Sequence, residues 1–338
     1  MTTMKAFVIN SPLNAGVYEV ERPVLSEDEV LVKVVAAGFC GTDIHTFKGE
    51  HVTNYPIIPG HEFSGIIVAK GEKVTQFCAG DPVIADPNVF CESCYFCKQN
   101  KQIHCERIQV IGNTRNGAFA EYVAVPQRCV FPAGDIDLIM GAMAEPLACV
   151  INSHNKAAIP VGANVLICGA GTIGLMQQLL AKRRGAATVT IIDIKEQQLA
   201  KARELQADHA IMSDAGVAGK LKELFPRGFD FIIEATGVPK VGEMAIKLLA
   251  DTGTYIAFGA CPTDSEIKIN PFEIYYRDLK IMGSYALEKT MPQSIAMLKG
   301  GLDLQPLIGQ IISLDEMPGV FADFVAGKTS NKIIVKFD

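Results

Sequence analysis

The distribution of apolar residues changes once along the chain, near residue 150. Before that point, short apolar segments such as 5–9 and 30–35 alternate with turns rich in Gly, Pro and Asp, and no stretch has a long helical period. This pattern is typical of an all-β domain, either a barrel or a sandwich. We therefore predict a β-rich first domain over residues 1–149.

From residue 150 to residue 285, apolar strand-like segments alternate with helical segments such as 196–205 and 241–249. This alternation is typical of a parallel sheet with helices on both faces, so we predict a doubly wound α/β domain. Six strands are predicted, over Val165–Cys168, Val189–Asp193, His209–Met212, Phe229–Glu234, Thr254–Phe258 and Leu279–Met282.

The C-terminal segment follows the six predicted strands of the α/β domain. It contains a predicted helix over 292–299 and a predicted strand over 332–337. We predict that residues 286–338 return to the first domain, which would make that domain discontinuous. The active site would then lie in the cleft between the two domains.

The first strand of the α/β domain runs into a glycine pattern, G-x-G-x-x-G, and then into a predicted helix. Strand, glycine turn and helix in this order form a dinucleotide-binding turn, in which the phosphates meet the free N–H groups at the helix start. Asp193 ends the next strand, where a carboxylate binds ribose hydroxyls and repels the extra phosphate of NADP. The predicted cofactor is therefore NAD, and the predicted turn contacts are Gly169, Gly171, Thr172, Ile173 and Gly174.

Composition narrows the possible partners. The 338 residues are 49% hydrophobic and 20% charged, and the net charge is −6. This acidic balance argues against nucleic acid and anionic membranes as partners. No apolar run approaches the ~18 residues of a membrane helix, and the N-terminal residues lack the pattern of a signal peptide. We expect a cytoplasmic protein.

Four of the ten cysteines lie close together in the sequence. Their spacing is C-x2-C-x2-C-x7-C, and four thiolates on one compact loop form a closed tetrahedral shell that suits structural zinc. His104 is an alternative to the last of them. The predicted ligands are Cys91, Cys94, Cys97 and Cys105. Five other cysteines stand alone in apolar surroundings and are interpreted as small buried residues, namely Cys78, Cys129, Cys149, Cys168 and Cys261.

A second set of metal-binding residue types is dispersed over three segments. Cys40, the pair His61 and Glu62, and Glu145 each stand beside glycine or proline at a predicted strand or loop end. Sequence spacing alone cannot join these segments into one site.

Taken together, these motifs resemble the zinc-dependent medium-chain dehydrogenase/reductase family, which includes alcohol and sorbitol dehydrogenases. The resemblance covers nearly the whole chain and implies a GroES-like β-rich catalytic domain beside a Rossmann domain. It also implies reversible oxidation of a secondary alcohol to a ketone with NAD. It rests on residues 38–45, 60–62 and 116–122, the four-cysteine segment, Glu145-Pro-Leu, the glycine turn and Asp193.

The resemblance assigns roles around a catalytic zinc ion, which would act as a Lewis acid on the substrate hydroxyl. Cys40 and His61 are the implied ligands. Glu145 stands where the alcohol branch has cysteine, which indicates the polyol branch, and Glu62 is either a ligand or acts through water. Thr42 and His45 match the family's relay that carries the proton to solvent.

Further expectations concern the cofactor, the substrate and assembly. Ligands of open α/β sheets bind at the carboxyl ends of strands, which indicates Thr236, Gly237, Gly259 and Ser284 as cofactor contacts. The family's oligomers pair through the edge strand, here 279–282, so a homodimer or homotetramer is expected. Four residues are expected either to line the substrate pocket or to serve in ordinary packing, namely Thr46, Phe47, Phe119 and Tyr285.

The expected substrate is a polyol or a sugar acid. The segment Glu145-Pro-Leu-Ala-Cys resembles sugar-alcohol dehydrogenases more than threonine dehydrogenases, although L-threonine or another amino alcohol is the alternative within the enzyme class. Ala286 stands where sorbitol dehydrogenases carry an arginine, which argues against sorbitol itself. A non-catalytic protein that binds zinc and NAD is the alternative of another class.

Overall fold

The structure, a computed structural model, describes residues 2–50, 53–329 and 331–338. The chain divides into two compact units, which comprise Met1–Ala148 with Leu287–Asp338, and Cys149–Ala286. No helix in the described ranges is both long enough and apolar enough to cross a bilayer.

The first unit consists mainly of strands, whereas strands alternate with helices in the second unit. The strands are β1 (Thr3–Ser11), β2 (Asn14–Glu21), β3 (Glu29–Gly38), β4 (Glu62–Lys70), β5 (Pro82–Ala85), β6 (Asn88–Val89), β7 (Gln109–Val110), β8 (Tyr122–Pro126), β9 (Val130–Pro132), β10 (Asn164–Cys168), β11 (Thr188–Asp193), β12 (His209–Met212), β13 (Phe229–Glu234), β14 (Leu249–Ala257), β15 (Lys280–Gly283), β16 (Ile308–Ile312) and β17 (Lys332–Lys336). The helices are α1 (Gly41–Lys48), α2 (Tyr95–Lys98), α3 (Leu138–Gly141), α4 (Ala144–Ala157), α5 (Thr172–Arg183), α6 (Glu196–Glu204), α7 (Val217–Leu224), α8 (Pro239–Ile246), α9 (Pro271–Tyr276), α10 (Met291–Lys299) and α11 (Met317–Val325).

The first unit is organised around β3. This strand pairs antiparallel with β4, β8 and β17, so it joins the N-terminal strands to the C-terminal segment. The larger sheet runs in the order β16-β17-β3-β4-β5-β9, and β8 adds to β3. Val30, Val32 and Val34 of β3 are fully buried, as expected for alternate positions of a strand that faces a core.

Aromatic side chains fill much of the first unit's core. Phe39 packs edge-on against Phe119 with ring centroids 5.2 Å apart, and Phe321 of α11 packs against Phe7 at 5.0 Å. Full burial of one such side chain stabilises a fold by about 1.5–3 kcal/mol. The C-terminal helix α11 therefore contributes directly to the core of the unit that the first strand begins.

The second unit is a six-stranded parallel sheet in the order β12-β11-β10-β13-β14-β15. This is the strand order 3-2-1-4-5-6 of a doubly wound dinucleotide-binding fold. The predicted fold class is confirmed. The predicted boundaries were furthest from the structure before β14, which begins at Leu249 rather than Thr254, and at the predicted helix over 241–249, which ends at Ile246.

The turn after β10 is closed by glycines for steric reasons. A Cβ atom on Gly174 would lie 1.8 Å from the carbonyl oxygen of Gly169, and Gly169 itself has a φ of +99°. Helix α5 can therefore pack against β10 only if residue 174 lacks a side chain. Gly171, in contrast, has open space where a Cβ atom would be, so a ligand can approach its backbone closely.

The isolated cysteines divide into two groups. Cys129 and Cys168 are buried, as expected for small apolar residues, and Cys149 is half-buried. Cys78 and Cys261 are exposed, so their interpretation as buried residues was wrong. Both lie in loops, where apolar neighbours in sequence do not produce burial in the fold.

Candidate active site

Three dispersed metal-binding residues meet in the first unit. Cys40, His61 and Glu62 each offer a ligand atom, and these atoms lie within 4.8 Å of one another. The pairing of β3 with β4 brings them together, because Gly38 lies opposite Glu62 in the register. Cys40 follows β3 by two residues, and His61 immediately precedes β4. The cluster is therefore a consequence of strand register.

The Asp43 carboxylate lies beside two members of this cluster, Cys40 and His61. Its Oδ2 accepts a hydrogen bond from the Cys40 backbone N–H at 2.9 Å, and its Oδ1 lies 3.9 Å from Nδ1 of His61. Burial raises the pKa of Asp43 to about 6, although His61 opposes the rise. Asp43 was not among the site residues predicted from the sequence. A carboxylate three residues after Cys40 is the signal of a capping box at the start of α1, and that signal could have found it.

Negative charge accumulates around His61. Burial disfavours the charged imidazole, but Cys40, Asp43 and Glu145 outweigh this effect and raise the pKa of His61 well above its ordinary value. The imidazole Nδ1 is buried without a hydrogen-bond partner in the described part of the chain. Sulfur, imidazole and carboxylate donors are the ligands that zinc prefers, and a divalent cation here would neutralise the surrounding charge. The residues therefore fit a zinc ion.

Lys332 faces the cluster from β17. Its Nζ contacts Oε2 of Glu62 and donates a hydrogen bond to the Phe39 carbonyl at 2.7 Å, and both side chains are buried. Burial lowers the pKa of Lys332, but Glu62 and Cys40 more than reverse this, so the net shift is upward. Gly38 makes room for the pair, because a Cβ atom there would lie 2.5 Å from Oε2 of Glu62.

Lys332 was not among the site residues predicted from the sequence. A lysine at the start of a predicted strand resembles an exposed edge residue, and nothing in the local pattern indicates that it faces the Glu62 carboxylate from a distant segment of the chain. Only the pairing of β17 with β3 places it there.

Glu145 lies in the first turn of α4 and is buried. It does not belong to the three-residue cluster, but its negative charge raises the pKa of both His61 and Lys332. Its carboxylate is therefore close enough to act on the same site. The structure thus brings all four predicted ligands of the catalytic zinc into one electrostatic environment.

The two predicted relay residues lie on α1. The Cys40 thiol donates to the Thr42 hydroxyl at a sulfur–oxygen distance of 3.6 Å, so Thr42 adjoins the cluster. One turn later, Nδ1 of His45 lies 2.5 Å from Oε2 of Glu50, and the ring is 42% exposed. A hydroxyl beside the cluster and a solvent-accessible imidazole are the two ends that a proton relay needs.

The four-cysteine segment forms a second, separate cluster. The sulfur atoms of Cys91, Cys94, Cys97 and Cys105 all lie within 4.8 Å of one another. Cys91 and Cys97 have their sulfurs 4.0 Å apart. Sulfurs that share one tetrahedral zinc at about 2.3 Å are separated by roughly 3.8 Å, so this arrangement fits zinc. His104 is outside the cluster, which leaves Cys105 as the fourth donor.

The thiols of this cluster have opposing electrostatic surroundings. Hydrogen bonds from the backbone N–H groups of Ser93 and Cys94 lower the pKa of Cys91 to about 5. Burial beside Cys94 and Cys105 raises the pKa of Cys97 to about 12. Four crowded thiols cannot all ionise without a cation, whereas a bound zinc ion keeps all four as thiolates.

The predicted cofactor residues lie at the carboxyl end of the parallel sheet in the second unit. Oδ2 of Asp193 accepts from the Ala170 N–H at 2.7 Å, and its Oδ1 accepts from the Lys195 N–H at 2.8 Å. The carboxylate therefore stands directly beside the glycine turn. The turn includes Thr172 and Ile173, which open α5 with Gly171 as the N-cap residue.

The other four predicted cofactor contacts follow the neighbouring strands. Thr236 and Gly237 follow β13, Gly259 follows β14, and Ser284 follows β15. The Ser284 hydroxyl is buried and lacks a hydrogen-bond partner among the described residues. An unsatisfied hydroxyl at this edge is suited to a ligand that enters there.

The four residues with a predicted pocket role differ in their exposure. Thr46 and Phe119 are completely buried, and Phe47 packs edge-on against Phe321 at 5.4 Å. Phe119 belongs to the apolar core of the first unit and Phe47 packs against it, whereas the Thr46 hydroxyl is buried without a hydrogen-bond partner among the described residues. Tyr285, in the second unit, is 65% exposed and is accessible to a ligand.

Two family models match the chain. The "Alcohol dehydrogenase GroES-like domain" matches residues 26–135, and the "Zinc-binding dehydrogenase" domain matches residues 172–300. D-altritol 5-dehydrogenase of Agrobacterium fabrum is 39% identical over 87% of this chain and 88% of its own length. L-threonine 3-dehydrogenase of Rhizobium etli is 30% identical over 99% of both chains.

Solved structures show the same fold over the full chain. A zinc-binding dehydrogenase of Sinorhizobium meliloti 1021, bound to NADP, is similar with a TM-score of 0.94, 32% identity and full coverage of both chains. An alcohol dehydrogenase (rspB) of E. coli CFT073, complexed with NADH, also reaches 0.94, with 29% identity and full coverage of both chains.

The four-cysteine cluster can be tested by substitution. Cys97→Ser should lower the zinc content from two ions per chain to one and reduce the unfolding temperature, because structural zinc sites contribute directly to folding. Metal analysis and thermal unfolding measure both effects. The exposed Cys78→Ser is the control and should match the parent protein. A Cys97→Ser variant with two zinc ions and unchanged stability would contradict a structural zinc site.

The buried pair of Lys332 and Glu62 predicts non-additive stability. Lys332→Met should destabilise the protein by about 3–5 kcal/mol, because it breaks the buried ion pair with the Glu62 carboxylate. The double variant Lys332→Met/Glu62→Gln should recover most of that loss. Urea unfolding measures the free energies.

Lys336→Met is the matched control, since Lys336 is the exposed last residue of the same strand and should change stability by less than about 0.5 kcal/mol. Equal effects of the two lysine substitutions would refute the proposed pair.

Proposed function

Because the chain belongs to the zinc-dependent medium-chain dehydrogenase/reductase family, we propose that it oxidises a secondary alcohol of a sugar alcohol or sugar acid to a ketone, with NAD as the acceptor. The observation that carries this proposal is the cluster of Cys40, His61 and Glu62 in the first unit. Family membership makes the chain a zinc-dependent oxidoreductase, whereas the substrate class and the site roles are our inference.

Each residue of the cluster has a distinct task in this proposal. Cys40 and His61 hold the catalytic zinc, with Glu62 and Glu145 available to complete its shell. When bound, the ion supplies Lewis-acid stabilisation of negative charge on the substrate oxygen. Asp43 orients the metal-binding ligands. Such a second layer of hydrogen bonds fixes the geometry and charge of the ligands.

Two further residues move the proton that oxidation releases. Thr42 accepts the proton of the substrate hydroxyl and passes it towards His45. His45 delivers it to solvent, which its exposure allows, and the nearby Glu50 carboxylate stabilises the charged imidazole at the moment of transfer. The carbinol carbon loses its hydride to NAD in the same overall reaction, so two electrons leave with the hydride and one proton leaves by the relay.

The substrate class is inferred from Glu145 and from the relatives. D-altritol 5-dehydrogenase acts on a sugar alcohol, and it is more similar to this chain than the L-threonine 3-dehydrogenase. The segment that contains Glu145 also resembles sugar-alcohol dehydrogenases more than threonine dehydrogenases. A polyol or sugar-acid substrate is therefore favoured, and an amino alcohol such as L-threonine is the second candidate.

The choice of NAD rests on Asp193. Its carboxylate is fixed by two backbone N–H groups at the end of β11, where it can accept the ribose hydroxyls and would repel a 2′-phosphate. A role as a non-catalytic zinc- and NAD-binding protein is disfavoured, because such a protein has no need of the relay pair Thr42 and His45. Reduced thiolates at both zinc clusters suit a cytoplasmic location, which we also propose.

The second unit offers a surface for a homodimer. Strand β15 is the edge of the parallel sheet, so one side of its backbone is unpaired within the unit. The preceding helix α9 exposes three aromatic side chains, Phe272, Tyr275 and Tyr276. An unpaired edge next to exposed aromatic residues is typical of an interface, and we infer that two copies pair through β15 about a two-fold axis. A tetramer would require a further surface.

Turnover with a substrate panel tests the proposed activity. NADH formation should be detected with at least one four- to six-carbon polyol or sugar acid, and threonine should be a poor substrate. Cys40→Ala and His61→Ala should each abolish turnover while NAD binding persists, because these residues hold the metal rather than the cofactor. Cys78→Ala is the control and should keep full activity.

Two results would contradict the proposal. Turnover of threonine but of no polyol or sugar acid would exclude the substrate class. Activity that survives the loss of Cys40 or His61 would exclude a catalytic zinc at this cluster.

The mass in solution tests the dimer interface. The parent protein should have at least twice the 36.4 kDa chain mass, and Tyr275→Glu combined with Ile281→Glu should reduce it, because charges at a buried interface are costly. Sedimentation equilibrium measures the mass. Val24→Glu, at an exposed apolar residue of the first unit, is the control, and an equal effect of both variants would argue against pairing through β15.

A further inference from the structure

One buried carboxylate of the second unit has no role in the function described so far. Glu234 is the last residue of β13 and is only 2% exposed. It lies opposite Cys168, the last residue of β10, and opposite Ala257 of β14. The strand order of the sheet reverses between β10 and β13, which is the switch point where doubly wound sheets bind ligands. Glu234 therefore sits at the centre of the cofactor-binding edge.

The carboxylate of Glu234 is held by the loop that follows it. Oε1 accepts from the Thr236 N–H at 2.7 Å and from the Thr236 hydroxyl, and Oε2 accepts from the Gly237 N–H at 3.1 Å. These donors come from the two residues that we assign to cofactor binding after β13. The position of this loop thus depends on the Glu234 side chain.

The next loop closes on the same residue. The Glu234 carbonyl accepts from the N–H groups of Phe258 and Gly259, at 3.0 Å and 2.8 Å. A Cβ atom on Gly259 would lie 2.3 Å from the Gly237 nitrogen and 3.0 Å from Oε2 of Glu234. The loops after β13 and β14 are therefore packed against each other around one carboxylate, with glycine where a side chain would collide.

The charge of Glu234 acts on its surroundings without a cationic partner. None of the described residues forms an ion pair with it, and its carboxylate contacts are to neutral donors. Burial raises the pKa of Cys168 and of Tyr255, and the negative charge of Glu234 adds to both increases. The field of this carboxylate therefore extends over the carboxyl ends of the neighbouring strands.

The strand order of the sheet determines which half of the cofactor lies near the negative charge of Glu234. The glycine turn after β10 binds the pyrophosphate, and Asp193 at the end of β11 binds the adenosine ribose. The dinucleotide spans the switch point, so its nicotinamide half extends over β13, β14 and β15. The oxidised nicotinamide ring carries one positive charge, and hydride transfer removes it.

We propose that Glu234 is a positioning residue for the nicotinamide half of NAD, which orders the loops after β13 and β14 and whose negative charge favours the oxidised cofactor over the reduced one. The inference rests on the proposed use of NAD and extends it. The Glu234 charge strengthens the binding of NAD⁺, whose ring is positively charged, but not that of NADH. The charge therefore favours release of NADH over release of NAD⁺.

The ratio of the two dissociation constants separates the charge effect from a merely structural one. We would measure Kd for NAD⁺ and for NADH by titration calorimetry on the zinc-loaded protein without substrate. Glu234→Gln should raise the ratio Kd(NAD⁺)/Kd(NADH) by about tenfold, since only the oxidised form loses an attraction. A role in loop order alone would weaken both forms equally and leave the ratio unchanged.

Two further variants keep the charge while they disturb the contacts. Glu234→Asp shortens the side chain, and Thr236→Val removes the hydroxyl donor. Each should weaken the binding of both cofactor forms and leave the ratio within about twofold of the parent value, because the charge remains. A tenfold change of the ratio in either variant would overturn the proposal, because the charge is kept in both.

Failure of this proposal can be distinguished from failure of the proposed function. An unchanged ratio in Glu234→Gln, with normal binding of both cofactor forms by the parent protein, overturns the role of Glu234 alone. A parent protein that binds neither NAD⁺ nor NADH overturns the proposed use of NAD and the role of Glu234 with it.

Discussion

Buried negative charge is the constraint on which the first unit depends. The register of β3 and β4 places a thiol, an imidazole and a carboxylate together, and Asp43 and Glu145 add further charge. A fold that buries so many acidic groups in one place must supply cations. Lys332 supplies one from the chain itself, and the donor set fits a divalent metal ion as the other. Stability and chemistry at this site therefore share one electrostatic origin.

This constraint explains why the C-terminal segment belongs to the first unit. Strand β17 contributes Lys332 to the cluster and pairs with β3 beside it, while α11 packs its phenylalanine into the core. A fragment that ended before β17 would leave Glu62 without its cationic partner. The discontinuity of the unit thus has a chemical consequence, because the metal site needs residues from both ends of the chain.

The second unit meets a different constraint, which is close approach of the backbone to a ligand. Glycine at 174 lets α5 pack against β10, and glycine at 237 and 259 lets two loops close around Glu234. At the glycine turn, the first N–H groups of α5 have no partner within the helix, so this end of α5 is suited to anionic phosphates. The carboxylates of Asp193 and Glu234 at this edge then fix the loops and set the local charge.

Local patterns in the sequence determined much of this protein. The glycine turn with Asp193, the four-cysteine spacing and the strand–helix alternation are each complete within a short segment, so local physics suffices to identify them. The residues Asp43, Lys332 and Glu234 are different, because their roles depend on partners or neighbours that only the folded chain brings close. The tertiary structure alone decided that Thr46 and Phe119 are buried, and that Lys332 faces Glu62. Register and long-range strand pairing place such side chains, and neither has a local signature in the sequence.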